Sequence, residues 1–366
     1  MNNMIINSPA VFSVGEEYKI FVRVAESSVM WVKIGDKCYY DHSNGILRSA
    51  VTIHKISVPM SELDKAKKYT VCYRRMIERK PYFSETGDIE EVSFAFSPID
   101  GDDYNIYHLS DTHGMVEAPT ESAKRFEEKY GKINLLILNG DIIDHSGDIK
   151  NFDTIYEIAS IITKGEIPIV FSRGNHDTRG IYAEIIADYT PTKNGNSYFS
   201  FRLGSLWGLV LDCGEDKLDT HEEYGNTMCC HEFRKEETRY IESIIENASS
   251  EYKNAGVKRK IVIAHSPFTQ KFKPPFNIEE DTYAYWTSML KNSIKPSLII
   301  CGHTHKLNVS LPGDEKDAYA QPCPVVIASV PFKSENRFIG GGFVINSESV
   351  KLVYADAEKI LEEREL

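Results

Sequence analysis

Apolar and polar residues alternate along this chain in two rhythms, and the change falls near residue 100. In the leading part, Tyr18, Ile20, Val22 and Val24 take every second position, as do Tyr69, Val71 and Tyr73, then Val92, Phe94 and Phe96. This is the period of a strand with one covered face. Residues 29–34 and 51–58 are further candidates, with Gly, Asn and Asp between the runs. The spacing predicts a small all-β sandwich of immunoglobulin or fibronectin type over residues 1–100, closed by the polar linker 97–103 (SPIDGDD).

Past the linker the strands become unbroken apolar runs, 104–110 (YNIYHLS), 133–139 (INLLILN) and 167–172 (IPIVFS), the pattern of strands covered on both faces. Between them, residues 119–130 open with Pro and acidic residues, and 149–163 place Phe152, Ile155, Tyr156, Ala159 and Ile162 on one stripe, so both predict helices. Alternating strand and helix predict an α/β domain over residues 101–366, with its ligand site beyond the carboxyl ends of the strands. Residues 196–203 and 206–212 flank Gly204-Ser205 as a hairpin, and 232–247 read as a helix. Segments 325–330, 338–345 and 350–354 read as closing strands, Gly340-Gly341-Gly342 as a close backbone approach or bulge, and 358–366 as a charged terminal helix.

Two polar segments fit neither rhythm, and long loops in compact domains are often functional. Residues 213–230 carry Lys217 and His221, candidates for contact with a phosphate or base. Residues 269–286 carry Phe272, Phe276, Tyr283, Tyr285 and Trp286, which either stack a nucleobase or cap the core.

The chemistry gathers where strands end. Asp111-Thr112-His113, Gly140-Asp141-Ile142-Ile143-Asp144 and Gly174-Asn175-His176-Asp177 each follow one of the three runs; His265 follows 260–264 (KIVIA), and Gly302-His303-Thr304-His305 follows 297–301 (SLIIC). In an extended segment Asp111 and His113 project to one side and can share an ion. Asp141 has two oxygens and can bridge two ions, while Asn175 adds a neutral oxygen. Imidazole nitrogens with hard oxygens and no sulfur suit Zn, Mn, Fe or Ni.

These five blocks, in this order, resemble the signature of the calcineurin-like metallophosphoesterases, and the likeness covers roughly residues 105–354. The resemblance implies a four-layer αββα sandwich in which Asp111, His113, Asp141 and His305 hold one divalent metal ion and Asp141, Asn175, His265 and His303 hold the other. It implies a phosphomonoesterase or phosphodiesterase in which ions about 3.5–4 Å apart activate a shared water and clamp the phosphoryl oxygens, so that no Ser or Cys nucleophile is needed. His176 would face the leaving-group oxygen, and Asp177 would orient it or a ligand imidazole. Asp144 stands where the related purple acid phosphatases carry a Tyr ligand, which argues against their coloured ferric site. The alternative is a non-catalytic metal-binding scaffold of the same fold, against which the intact ligand set and His176 count.

Composition narrows the partners. A net charge of −12 disfavours a nucleic-acid backbone, yet two divalent ions outweigh Asp111 and Asp141 locally and admit a small phosphorylated substrate. No apolar stretch approaches the roughly 20 residues needed to cross a bilayer, and the first 14 residues lack a basic start and a long apolar run. The expectation is no membrane, no cleaved signal and a cytoplasmic protein, in which seven scattered Cys stay as free thiols. His42 and His54 read as surface or packing residues, His108 as a packing residue, and Arg74, Arg75, Arg79 and Lys80 as a solvated hairpin face. Glu215, Asp216, Glu222, Glu223 and His231 are expected to border the pocket, and His145 lies near it without an assigned place.

Overall fold

The three apolar runs become neighbouring parallel strands, Tyr104–Leu109, Leu135–Asn139 and Ile169–Ser172, with Ile106 opposite Leu135 and Leu136 opposite Ile169. In the computed structural model, which describes residues 4–366, they are the centre of a ten-stranded sheet. A second sheet of six strands is built on Leu206–Leu211, Arg259–Ala264 and Leu298–Cys301, again parallel.

Alternation of side chains decides what each face covers. Ile106, Leu135, Ile137 and Val170 meet Leu206, Val210, Ile261, Ile263 and Ile300 between the two sheets. From the same strands, Tyr107, Leu109, Leu136, Leu138 and Phe171 turn outward onto helices α2 (Glu117–Tyr130) and α3 (Asp153–Thr163); α1 is the short Met60–Ala66. Trp207, Leu209, Val262 and Ile299 turn onto α4 (Cys230–Glu246) and α5 (Glu280–Met289). The result is helix, sheet, sheet, helix, a mixed α/β fold with three apolar layers. The Gly340-Gly341-Gly342 run is a close approach: a Cβ there would meet Tyr107 Oη at 2.4 Å, Ala328 Cβ at 2.6 Å and Phe126 Cε2 at 2.1 Å.

The leading residues are strands apart from the short α1, and three of those strands join the larger sheet. Ala10–Val14 pairs parallel with Ile169–Ser172 through Phe12 and Ile169, and Glu17–Arg23 and Ile53–Pro59 follow it, so three leading strands extend the ten-stranded sheet. A five-stranded sheet of Ser28–Ile34, Lys37–Tyr40, Lys68–Lys80, Phe83–Thr86 and Glu90–Ala95 covers them, with Met30, Val32, Val71 and Tyr73 on Tyr18, Ile20, Ile56 and Val58. The chain changes rhythm at residue 100, but the hydrogen-bonded sheet and its core run through that boundary.

The expected terminal helix is corrected. Ile360–Glu365 is an edge strand paired with Val350–Ala355. Glu and Arg favour helix on their own, but a neighbouring strand with free backbone groups wins. All seven Cys are free, and among the described residues no helix is long and apolar enough to cross a membrane.

Candidate metal centre

Strand ends from both sheets deliver the polar blocks to one place. Asp111, His113 and His305 form one group whose nitrogen and oxygen atoms lie within 4.8 Å of one another; His113, Asp141 and His176 form a second, and Asp141, His265 and His303 a third. Asn175 joins the third through Oδ1, 3.0 Å from His303 Nδ1. All seven residues expected to hold metal therefore meet, although His265 lies 154 positions after Asp111 in the chain.

The backbone is bent to achieve this. Among the described residues fourteen other than glycine have positive φ, and five of them are Asp111, His113, Asp141, His303 and His305. Such left-handed residues persist only where the surroundings over-determine them, typically at functional sites. The glycines of the blocks let the loops touch: a Cβ on Gly174 would lie 2.3 Å from Asp141 Oδ1, and one on Gly302 2.6 Å from Asp111 Oδ2.

Outer contacts aim the inner atoms. His265 Nδ1 donates to the Asn139 carbonyl at 2.7 Å, which leaves Nε2 buried with no hydrogen-bond partner, 3.1 Å from Asp141 Oδ2. Asp111 Oδ2 accepts from Ser110 Oγ at 2.6 Å and from the His303 amide at 3.0 Å, while Oδ1 stands 3.2 Å from His305 Nε2. His113 Nε2 and His305 Nε2 face each other at 3.1 Å, and Asp144 Oδ1 lies 3.7 Å behind at His113 Nδ1. Burial opposes charge on His265, but Asp141 and Asp111 overcome it and push its pKa up to about 10. With His265 Nε2 3.1 Å from Asp141 and 3.8 Å from Asp111, two carboxylates and an inward imidazole nitrogen around one space have the field and the lone pairs to bind a cation. The donor set thus fits a metal.

His176 stands beside the centre, its ring 4.6 Å from that of His113. Its Nδ1 donates to the Asp144 carbonyl at 2.9 Å, and its amide donates to Asp141 Oδ1 at 2.8 Å. Arg179 Nη1 lies 3.4 Å from His176 Nε2, while its Nε and Nη2 donate to Glu215 at 3.0 and 3.1 Å. Asp177 departs from expectation: fully buried, it accepts from the Gly174 amide at 2.7 Å and the Asp141 amide at 3.2 Å, not from His176 or another imidazole. Burial, with Asp141 adding to it, pushes its pKa up to about 7. It pins two site loops together rather than orienting a ring.

The remaining candidates take humbler places. Asp144 pairs with Lys333 at 2.6 Å. His145 is exposed and accepts from the Gly147 amide, and His221 accepts from the Glu223 amide at the turn Glu222–Tyr224. Lys217 is committed to Glu223 at 2.7 Å and Asp216 at 3.4 Å, and His231 to Glu279. Tyr283 and Trp286 cap the core, Tyr285 is exposed, and Phe272 and Phe276 line a pocket beside His303. No motif in the sequence singles out Asn139, Ser110, Arg179 or Lys333. Asn139 and Ser110 end apolar runs directly before Gly140 and Asp111, and Arg179 is two places past Asp177; adjacency to the blocks was the available signal.

Comparison with known proteins agrees with the geometry. The family model described as calcineurin-like phosphoesterase matches residues 104–307, more than half of the chain. A solved structure of the purple acid phosphatase PPD1, isolated from yellow lupin (Lupinus luteus) seeds, is similar with a TM-score of 0.59 at 12% identity, over 99% of this chain and 74% of that one, a likeness of fold. The protein TT1561 of Thermus thermophilus has a TM-score of 0.43 at 14% identity, over 70% of this chain and 100% of that one. No curated protein matches the sequence.

Proposed function

Because the chain belongs to the calcineurin-like phosphoesterase family, we propose that it hydrolyses phosphate esters, with a small phosphomonoester or phosphodiester as substrate and two divalent ions as cofactors. The observation that carries this reading is the place of Asp141, which belongs both to the group with His113 and to the group with His265 and His303. Asp111, His113, Asp141 and His305 would hold one ion, and Asp141, Asn175, His265 and His303 the other, with Mn, Zn, Fe and Ni all suited to the donors. When bound, the ions would supply Lewis acidity to the phosphoryl oxygens and make a water acidic near neutral pH.

The chain's own groups supply the rest. With Nδ1 committed to the Asp144 carbonyl, His176 has only Nε2 left to offer a leaving-group oxygen. Arg179, beside that atom, places a second positive group where charge develops, and Glu215 fixes its direction. Asn139 holds His265 in the tautomer that presents Nε2 inward. Asp177 keeps the segments of Asp141 and Asn175 in register by accepting from the Asp141 and Gly174 amides.

The test is a paired assay of bis- and mono-nitrophenyl phosphate on protein loaded in turn with Mn, Zn, Fe and Ni. Turnover that Asp141→Ala abolishes is expected, and the faster of the two esters assigns diesterase or monoesterase. Absence of hydrolysis of either ester by protein with metal verified bound would reject the reading in favour of a scaffold.

A further inference from the structure

A pocket of about 210 Å³ opens beside His303, between the two segments that broke the rhythm of the sequence. One wall is Glu215 and Asp216, the carboxylates that hold Arg179 toward His176. The other is Gln270, Phe272 and Phe276, with Tyr319 also in the lining. The Phe272 ring is 6.5 Å from that of His303, and Lys217 lies 5.5 Å from the centre of Phe276, clasping the segments over the pocket. A bound organic group would therefore sit beside His303, with His176 reached from the pocket wall through Glu215 and Arg179.

The lining defines what such a group would be. Aromatic side chains with one face uncommitted favour a flat ring; Phe276 is 40% exposed. Gln270 is only 6% exposed, and its amide nitrogen has no partner, a buried donor left open at the wall. A ring with an acceptor would relieve that cost, which an aliphatic group cannot. Glu215 and Asp216 in the lining are paired with Arg179 and Lys217, and Glu280 balances Lys271, so the wall carries no surplus positive charge to hold a second phosphate or carboxylate. The volume lies below the roughly 300–1,000 Å³ of drug-sized sites, enough for one small group and not an extended chain.

Resting on the phosphoesterase reading, we propose that this pocket selects the alcohol part of the ester, and that the substrate is a phosphate ester of a nucleoside: a flat, polar, uncharged ring on a sugar. Phe276 and Phe272 stack the ring, Gln270 donates to its edge, and a wall without surplus positive charge offers nothing to a polyphosphate.

Two measurements on manganese-loaded full-length protein test this. In the first, kcat/KM is compared for nucleoside phosphate and glycerol phosphate, each as the monoester and as its methyl diester. The nucleoside esters are expected to lead by about tenfold or more, as base stacking on an aromatic side chain allows. Phe276→Ala should shrink that ratio several-fold, Phe276→Tyr should restore it, and metal content and melting temperature should stay at wild-type values. In the second, calorimetry with adenosine, cytidine and guanosine reads the pocket without turnover, and Phe276→Ala should weaken binding by about tenfold. Hydrolysis with equal preference for glycerol and nucleoside esters overturns the pocket assignment and leaves the phosphoesterase reading standing. Nucleoside binding in a protein that hydrolyses no ester does the reverse, and no nucleoside binding by any form overturns the assignment outright.

Discussion

Two buried clusters in this molecule pair histidine with aspartate, and they behave in opposite ways. In the leading layers His54 Nδ1 meets Asp41 Oδ2 at 2.7 Å and His54 Nε2 meets Ser28 Oγ at 3.0 Å, with Arg48 3.6 Å from the other Asp41 oxygen. Written as Ser28, His54 and Asp41 it has the contact order of a nucleophilic triad. Yet Ser28 and His54 are fully buried, and both ring nitrogens are engaged by neighbouring side chains. At the candidate metal centre His265 has one nitrogen satisfied and the other without a partner, several further nitrogen and oxygen atoms crowd the same space, and the backbone is left-handed at five of the residues. A closed cluster spends its polar atoms on itself, whereas an open one keeps a surplus, and strain, for something else. That surplus marks function more surely than a His–Asp contact does.

The comparison breaks most visibly at Asp141. Asp141→Ala takes a ligand from both groups and should lower kcat/KM by about a thousandfold or more, the loss of roughly 4 kcal/mol of charge stabilisation, with metal content falling in parallel. Retention of both metal and turnover would mean that the carboxylate is no more than another closed contact. His176→Ala should act on rate alone. A loss of about a hundredfold in kcat with unchanged metal content fits a group that meets the leaving oxygen, and metal lost along with rate would make it a ligand instead.

Much of the open cluster was legible beforehand because it is written in short local blocks behind apolar runs. Asp111, His113, Asp141, Asn175, His176, His265, His303 and His305 all stand at strand ends in the sequence and all converge in space. The closed cluster was not legible: Ser28, Asp41 and His54 come from three separate places, and nothing local tells a paired His54 from a surface one. Non-local pairing is just as invisible elsewhere in the sequence. A period of two announces that residues 18–24 are a strand, but not that the preceding Ala10–Val14 will find Ile169 and carry it into the larger sheet. The charged residues 360–365 look helical until the edge beside Val350–Ala355 claims them. Asp177 stands in the expected neighbourhood with different partners, since a motif fixes where a carboxylate lies and only the fold decides which amides reach it.

The closed cluster should answer in stability. Asp41→Ala leaves a His54 nitrogen unpaired between two sheets and should cost about 2 kcal/mol, read as an earlier urea midpoint with metal content and turnover of the folded protein unchanged. A variant that loses activity while keeping its midpoint would give the Ser28, His54 and Asp41 cluster a role beyond packing and erase the contrast.

The smallest effect sharpens the contrast within the centre's own surroundings. His108 lies three residues before Asp111 but is closed, with Nδ1 at 3.0 Å from Ser329 Oγ and Nε2 at 3.1 Å from Asn139 Nδ2. Burial pushes its pKa down to about 3 against the pull of Asp111. Between pH 6.5, where an unfolded histidine titrates, and about 3, the unfolded chain binds this proton and the folded one does not. Stability supplied by His108 is therefore complete above pH 6.5 and declines on acidification, by up to about 1.4 kcal/mol per pH unit. Urea unfolding at several pH values should show wild type losing stability between pH 6 and 4 more steeply than His108→Asn, by as much as one proton. Equal slopes would mean that His108 accepts the proton in the folded state, and then it belongs with the open residues of the metal centre rather than with the closed ones.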